Sequence, residues 1–197
     1  MSTLDIYIEE RLKDIVLEIK HKDNKTLEIF LNKGSSFGSN HTTTSLSIEA
    51  LKFLIYKNNF IANSLDLGSG SGVLSIMMKK LGIPEVSACE IDDYARKESE
   101  MNFRSNFENK FDQPKFVQNP LEADFTYDLV VANISGSFLP DNFSKVAKII
   151  NKNGYLAISG FNIKKEKKYC LLANKNNLIP INMFKESPWL SIIFKKK

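Results

Sequence analysis

Apolar and polar positions along the chain fall into blocks of different period. In residues 3–14 the apolar side chains Leu4, Ile6, Ile8 and Leu12 keep no single spacing, and the reading for this stretch is a short helix. Residues 15–19 and 27–31 are apolar-rich runs on either side of the polar residues 21–25, which predicts a hairpin with a long turn. A small, polar loop is expected over residues 34–44. Leu46, Ile48, Leu51, Phe53, Leu54 and Ile55 then fall on a helical stripe that ends near Lys57.

From residue 61 onward strand and helix patterns alternate. Strands are predicted over residues 61–67, 84–89, 115–118, 127–132 and 155–159, with a turn at Asn153 and Gly154 before the last. Helices are predicted over residues 73–81, 92–106, 143–150 and 164–174. Continuous apolar runs such as Leu129, Val130 and Val131 suit parallel strands covered on both faces, so the repeat implies an α/β doubly wound sheet. The ending differs: residues 178–184 and 189–194 are joined by residues 185–188 alone, a link that allows only antiparallel pairing. The expected organisation is an N-terminal helix and hairpin in residues 1–35, then one compact unit in residues 36–197.

Composition narrows the class. The 197 residues are 43% hydrophobic and 25% charged, the profile of a globular chain able to bury its own core. Cys89 and Cys170 stand far apart and outside any Cys-x-x-Cys spacing, which argues against a zinc site or redox pair. With no signal-peptide pattern and no run of about 18 apolar residues, the cytoplasm is the expected location and no membrane partner is expected. The formal net charge of +4 comes largely from Lys164, Lys165, Lys167, Lys168 and residues 195–197. No aromatic residues interleave with them as a single-strand platform requires, so nucleic acid is a possible but not a favoured partner.

The candidate chemistry gathers at strand ends. Gly68, Gly70 and Gly72 lie between a predicted strand and a predicted helix, where the lack of Cβ atoms lets backbone N–H groups approach a ligand closely. The dinucleotide fingerprint is Gly-x-Gly-x-x-Gly, and here Val73 occupies the place of its third glycine, which argues against NAD. Glu90 closes the next strand, where a carboxylate can accept both hydroxyls of a ribose; its alternative use is capping or solvation. Asp92 suits the N-cap of the following helix. Asn133 ends the fourth strand of the series, at the edge where open α/β sheets bind ligands. Its carbonyl can accept from an amine and its NH₂ can hold a carboxylate, while its ordinary alternative is loop capping.

Residues 65–72, with Glu90 and the run Val131, Ala132, Asn133, Ile134, resemble class I S-adenosylmethionine-dependent methyltransferases. More narrowly, Phe37 and Gly38 with His41, Thr43 and Thr44, the Asn133–Ile134 pair, residues 158–161 and the terminal hairpin with Trp189 resemble the PrmA family, which trimethylates amines of a large-subunit ribosomal protein. The similarity runs from about residue 27 to the C-terminus. It implies a Rossmann-like, mostly parallel sheet of seven strands with a C-terminal antiparallel hairpin, S-adenosyl-L-methionine as cofactor and a protein amine as acceptor. By this resemblance Asp66, Gly68, Ser69, Gly70, Gly72, Glu90 and Ile91 hold the cofactor. Asn119 stands where many relatives place an acid facing adenine, and Asn133 and Thr43 lie near the methionine end and the acceptor. His41 is a further catalytic candidate, with backbone hydrogen bonding as its equal alternative, and no metal is implied. The loop of residues 37–44 is one residue shorter than the family's usual form and lacks its second glycine. About 35 residues precede it, so the family's N-terminal docking domain is expected to be missing and the acceptor stays open.

Methyl transfer from a sulfonium is an in-line displacement, so alignment and a water-poor cavity matter more than a protein nucleophile. Phe37, Phe138 and Trp189 either wall an acceptor pocket or pack in the core, packing being the expectation for Trp189. The competing readings are a small-molecule or RNA methyltransferase with the same cofactor and a non-catalytic nucleotide-binding protein. Residues 133–136 lack the Asn-Pro-Pro-aromatic run of many base and amide methyltransferases, which disfavours nucleobases.

Overall fold

The structure, a computed structural model, describes residues 6–10, 14–20, 26–32, 41–57 and 60–197. Three antiparallel strands come first: β1 (Ile6–Glu10), β2 (Asp14–Lys20) and β3 (Thr26–Asn32), in the order β1-β2-β3. The hairpin expected from residues 15–31 is β2–β3. The expected helix over residues 3–14 is corrected by β1, whose Ile6 and Ile8 alternate with Tyr7 and Glu9 and stand opposite Ile19 and Leu17 of β2. A period of two over five residues was masked by Leu4 and Leu12 on either side.

Helix α1 (Thr42–Tyr56) follows, then β4 (Asn63–Leu67), α2 (Val73–Lys80), β5 (Glu85–Cys89), α3 (Asp93–Asn106), β6 (Lys115–Phe116), β7 (Tyr127–Asn133), α4 (Phe138–Lys148), β8 (Ile150–Asn162), α5 (Glu166–Lys175), β9 (Leu178–Glu186) and β10 (Trp189–Lys196). The seven strands from β4 onward form one sheet ordered β6-β5-β4-β7-β8-β10-β9. Strands β4 to β8 are mutually parallel, and β10 runs antiparallel to both β8 and β9. This is the doubly wound sheet with a C-terminal antiparallel hairpin that the pattern predicts. Helix α1 begins at Thr42, so Thr43 and Thr44 belong to its first turn and not to a loop. Helix α4 starts five residues before the apolar stripe shows it. The turn expected at Asn153 and Gly154 is instead a bulge within β8: Tyr127 pairs with Ile150 and Leu129 with Tyr155, and Asn153 takes φ 65°.

Each face of the sheet is covered. One apolar cluster joins α1, α2 and α3 through Leu51, Ile76 and Phe103, and takes in Leu17 and Ile29 of the N-terminal sheet. The other joins α4 and α5 through Phe143, Val146 and Tyr169. Leu65, Leu129 and Val130 between them have no exposed surface, as central parallel strands require. The edge of β3 is closed by side-chain amides of α3. Asn106 accepts from the Phe30 N–H and donates to the Phe30 carbonyl, while Asn102 accepts from the Asn32 N–H. No helix among the described residues is long and apolar enough to cross a membrane.

Gly160, in β8, sits at φ 85° against the backbone of Ile134, which a Cβ would meet at 2.9–3.0 Å. Gly82 has φ 93° with open space around it. Alanine at Gly160 should therefore cost the backbone strain plus the displacement of a neighbouring main chain, about 3 kcal/mol or more, against roughly 1–2 kcal/mol at Gly82. Urea unfolding of G160A and G82A should show this ranking; equal losses would contradict it.

Candidate functional site: a cavity along the C-terminal edge of the sheet

A cavity of about 930 Å³ runs along the carboxyl ends of the parallel strands, within the size range of small-molecule sites. The strand order dictates its walls. The segment after β6 contributes Val117, Asn119 and Leu121; the end of β5, Glu90 and Ile91; the turn after β4, Gly68, Ser69 and Gly70; the end of β7, Asn133 and Ser135; and β8, Gly160. The start of α1 adds His41 and Thr43, and β10 adds Trp189. Of the sequence candidates for the site among the described residues, all but Gly72 line this space.

The turn between β4 and α2 is built from left-handed residues, with φ 73°, 53° and 79° at Gly68, Gly70 and Gly72. Its N–H groups are held by β5: those of Gly68 and Ser69 donate to the Cys89 carbonyl at 2.8 and 3.0 Å, and that of Gly70 donates to Glu90 Oε2 at 2.8 Å. From behind, Ser99 donates to the Gly70 carbonyl and Asn102 Nδ2 to the Ser71 carbonyl. Gly72 faces this support and not the cavity, because a Cβ there would lie 2.6 Å from the Phe103 ring. Its lack of a side chain serves helix packing.

Glu90 is half-buried, and its other oxygen accepts from the N–H groups of Ile91 and Asp92 at 2.8 and 3.0 Å. The carboxylate is thereby fixed at the cavity edge, with a lone-pair site left on Oε2. Asp92 caps α3 by accepting from the Tyr94 and Ala95 N–H groups, as its place in the sequence suggests. Ile91 is 94% exposed, an apolar side chain standing in water beside Glu90. Below the turn, Asp66 is buried and accepts from the Ser75 hydroxyl at 2.6 Å. Burial pushes its carboxyl from 3.8 up to about 6, opposed by hydrogen bonds from Ser75 and reinforced by the charge of Glu90.

At the other end, Asn133 Nδ2 donates to Thr44 Oγ1 at 3.2 Å and Asn133 Oδ1 accepts from the Ser159 hydroxyl at 3.0 Å. His41 is the N-cap of α1: its Nδ1 accepts from the Thr43 N–H at 3.2 Å and lies 2.9 Å from Thr43 Oγ1. A ring that accepts at Nδ1 in this way carries its proton on Nε2. The Trp189 ring meets His41 edge-on at 5.2 Å and lines the cavity, where packing alone was expected. Phe138, 40% exposed, also lines it, whereas Phe37 and Gly38 lie outside the described residues.

Sequence reading missed Arg96 on α3 and Asn142 and Lys145 on α4, which reach the cavity from elements with no motif of their own. It also missed the Ser47 hydroxyl and gave Thr44, part of the loop motif, no role beside Asn133. Only their helical spacing after His41 hinted at a shared helix. Among the described residues no group of three or more His, Cys, Asp or Glu side chains is placed to hold a metal ion.

The features of the cavity suit a nucleoside carrying a zwitterionic tail. Ser69 Oγ is buried in the turn and has no hydrogen-bond partner among the described residues, Glu90 offers a carboxylate acceptor to a diol, and Ile91, Val117 and Leu121 offer an apolar slot for a flat base. Residues 8–197 match the family model described as ribosomal protein L11 methyltransferase (PrmA). The ribosomal protein L11 methyltransferase of Thermotoga petrophila is 28% identical over 190 residues, which are 96% of this chain and 69% of that protein. For other curated relatives, 26–34% identical, the chain spans 39–56% of their length. A solved ribosomal protein L11 methylase from Lactobacillus delbrueckii subsp. bulgaricus superposes with a TM-score of 0.75 at 26% identity, covering 85% of this chain and 84% of that one. The magnesium protoporphyrin IX methyltransferase of Synechocystis PCC 6803, solved with bound SAM, shares the fold with a TM-score of 0.64 at 16% identity, covering 82% of this chain and 86% of that one.

Asp66 gives the site a pH signature. Its carboxyl takes up a proton near pH 6 when folded but near 3.8 when unfolded, so the protonated form is favoured in the fold. That contribution is complete below about pH 4 and is lost as pH rises through about 6, a change on the order of 3 kcal/mol. The difference in unfolding free energy between the native chain and Asp66→Asn should shift by this amount across that window. A difference independent of pH would contradict the assignment.

Proposed function

Because the chain belongs to the ribosomal protein L11 methyltransferase (PrmA) family and is by that membership a methyltransferase, we propose that the cavity holds S-adenosyl-L-methionine and presents it to an amine of a protein acceptor. The observation that carries this reading is the convergence of the left-handed glycine turn, the fixed Glu90 carboxylate and the Asn133 amide on one cavity at the sheet edge.

In this reading Glu90 receives the ribose hydroxyls, and Ile91, Val117 and Leu121 enclose the base with Asn119 at its rim. Covering Ile91 adds a favourable term of about 1.5–3 kcal/mol. The turn at Gly68, Ser69 and Gly70, with Asp66 beneath it, receives the amino-acid tail. Bound there, the cofactor supplies a methyl group on a sulfonium for in-line transfer to a nitrogen. The chain's task is then to deliver that nitrogen unprotonated and aligned. Burial of an ammonium in the space between Asn133, Phe138 and Trp189 lowers its pKa, the direction the reaction requires. Asn133 Oδ1 has a second lone pair with which to orient the incoming N–H. His41 serves by capping α1 and so fixing Thr43 and Thr44. Ribosomal protein L11, the substrate in the relatives' names, is the acceptor proposed here, in the cytoplasm.

Isothermal titration should detect S-adenosylmethionine but not NAD, and Glu90→Ala should weaken binding about ten- to a hundredfold by removing charge-assisted hydrogen bonds. Incubation with radiolabelled cofactor and purified ribosomal protein L11 should place label in the protein. Cofactor binding without label in L11 would overturn the acceptor assignment, and absence of binding would overturn the site.

A further inference from the structure

Behind Asn133 lie two buried hydroxyls that neither the cofactor nor an acceptor needs to touch. Ser159, 1% exposed and opposite Asn133 in the β7–β8 register, has one hydroxyl proton and two acceptors within reach: Asn133 Oδ1 at 3.0 Å and the Thr43 carbonyl at 2.8 Å. Ser47, 2% exposed and one turn into α1, lies 2.9 Å from the same Thr43 carbonyl and 2.9 Å from Ser159 Oγ. The Thr43 carbonyl has two lone pairs, and the first turn of α1 directs one of them at the N–H four residues on, so the two serines compete for the one that is left. If Ser47 donates to Thr43, that carbonyl is served from within its own helix and Ser159 is left to donate to Asn133. Every proton then has its own acceptor and the Asn133 oxygen has a donor, with the Asn133 NH₂ on Thr44 Oγ1; the alternative, Ser47 on Ser159 Oγ and Ser159 on the Thr43 carbonyl, leaves that oxygen without the Ser159 bond.

We infer that Ser159 is a positioning residue, committed by Ser47, that holds the Asn133 amide with its oxygen toward β8 and so sets which group it shows an incoming amine. The functional consequence rests on the methyl-transfer reading given above. An Asn side chain is symmetric in shape and its two ends differ only in donor and acceptor character. Without Ser159 the amide is tethered only through Thr44 Oγ1, a hydroxyl that can either accept from NH₂ or donate to C=O, so both orientations become available. In one of them the acceptor nitrogen meets a donor where it needs an acceptor. Misplacement of this kind acts on alignment and not on cofactor affinity.

The test uses the full chain. In ¹⁵N–¹H spectra of the free protein, the side-chain NH₂ signals of Asn133, assigned by their loss in Asn133→Ala, should be sharp in the native chain and shifted or broadened in Ser159→Ala. With ribosomal protein L11 as acceptor, Ser159→Ala should lower kcat on the order of ten- to a hundredfold. The Kd for S-adenosylmethionine and the Tm should stay unchanged, and Ser159→Thr, which keeps the hydroxyl, should restore turnover. Ser47→Ala should fall between the two, and the double alanine variant should be no slower than Ser159→Ala, because both residues act through one bond. Unchanged Asn133 signals in Ser159→Ala, additive losses in the double variant, or a kcat loss matched by weaker cofactor binding and lower Tm would each overturn the inference. Should the native chain transfer no methyl to L11, the acceptor assignment fails and the Asn133 signals alone decide the role of Ser159.

Discussion

Backbone in the left-handed region at Gly68 and Gly70, spliced between a strand buried from Ser64 onward and a helix, is the constraint on which the site depends. Glycine escapes the cost of about 1–2 kcal/mol per residue that L side chains meet here but loses more chain entropy on ordering, so the turn keeps one shape only with support from its surroundings. That support comes from two directions. The end of β5 takes the N–H groups of Gly68, Ser69 and Gly70, and α3 supplies Ser99 and Asn102 to the carbonyls of Gly70 and Ser71. The backbone is thereby fixed before any ligand arrives, and the buried Ser69 hydroxyl and Asp66 carboxyl are fixed with it.

Parallel strands that end together place the remaining pieces. Because β6, β5, β4, β7 and β8 lie in that order, residues from positions 68 to 160 reach one linear cavity. Ile134 leaves β7 tightly against Gly68 on one side and Gly160 on the other, contacts that a Cβ at either glycine would close. The same segment carries Asn133, so the glycine turn and the amide are coupled by packing. The N-terminal sheet is joined to this centre through Asn102, which accepts from the Asn32 N–H and donates to the turn at Ser71.

Much of this architecture is written in local pattern. The apolar runs of β4, β5 and β7, the glycine spacing, Glu90 at a strand end and the Asp92 cap each carry their signal within a few residues, and each stands where the pattern puts it. What local pattern does not carry is convergence. Arg96, Asn142 and Lys145 reach the cavity because helices happen to cross its rim, and nothing at those positions marks them. Gly72 looks like its two neighbours in sequence, yet its task is set by Phe103, thirty-one positions away. Strand β1 was hidden because five alternating residues, flanked by stray leucines, cannot outweigh an irregular window. His41 reads in sequence as a catalytic candidate or a backbone-bonded one, and its place as the cap of α1 shows only once the start of that helix is known.

The central claim is that one berth, between the glycine turn and Glu90, receives the nucleoside of the methyl donor. A crystal structure of the chain soaked with S-adenosylhomocysteine addresses it most directly. The account expects density with the ribose hydroxyls on the Glu90 carboxylate, the base against Ile91 and Leu121, and the amino-acid tail over Gly68 to Gly70. Density anywhere else on the molecule, with this cavity holding only solvent, would contradict it.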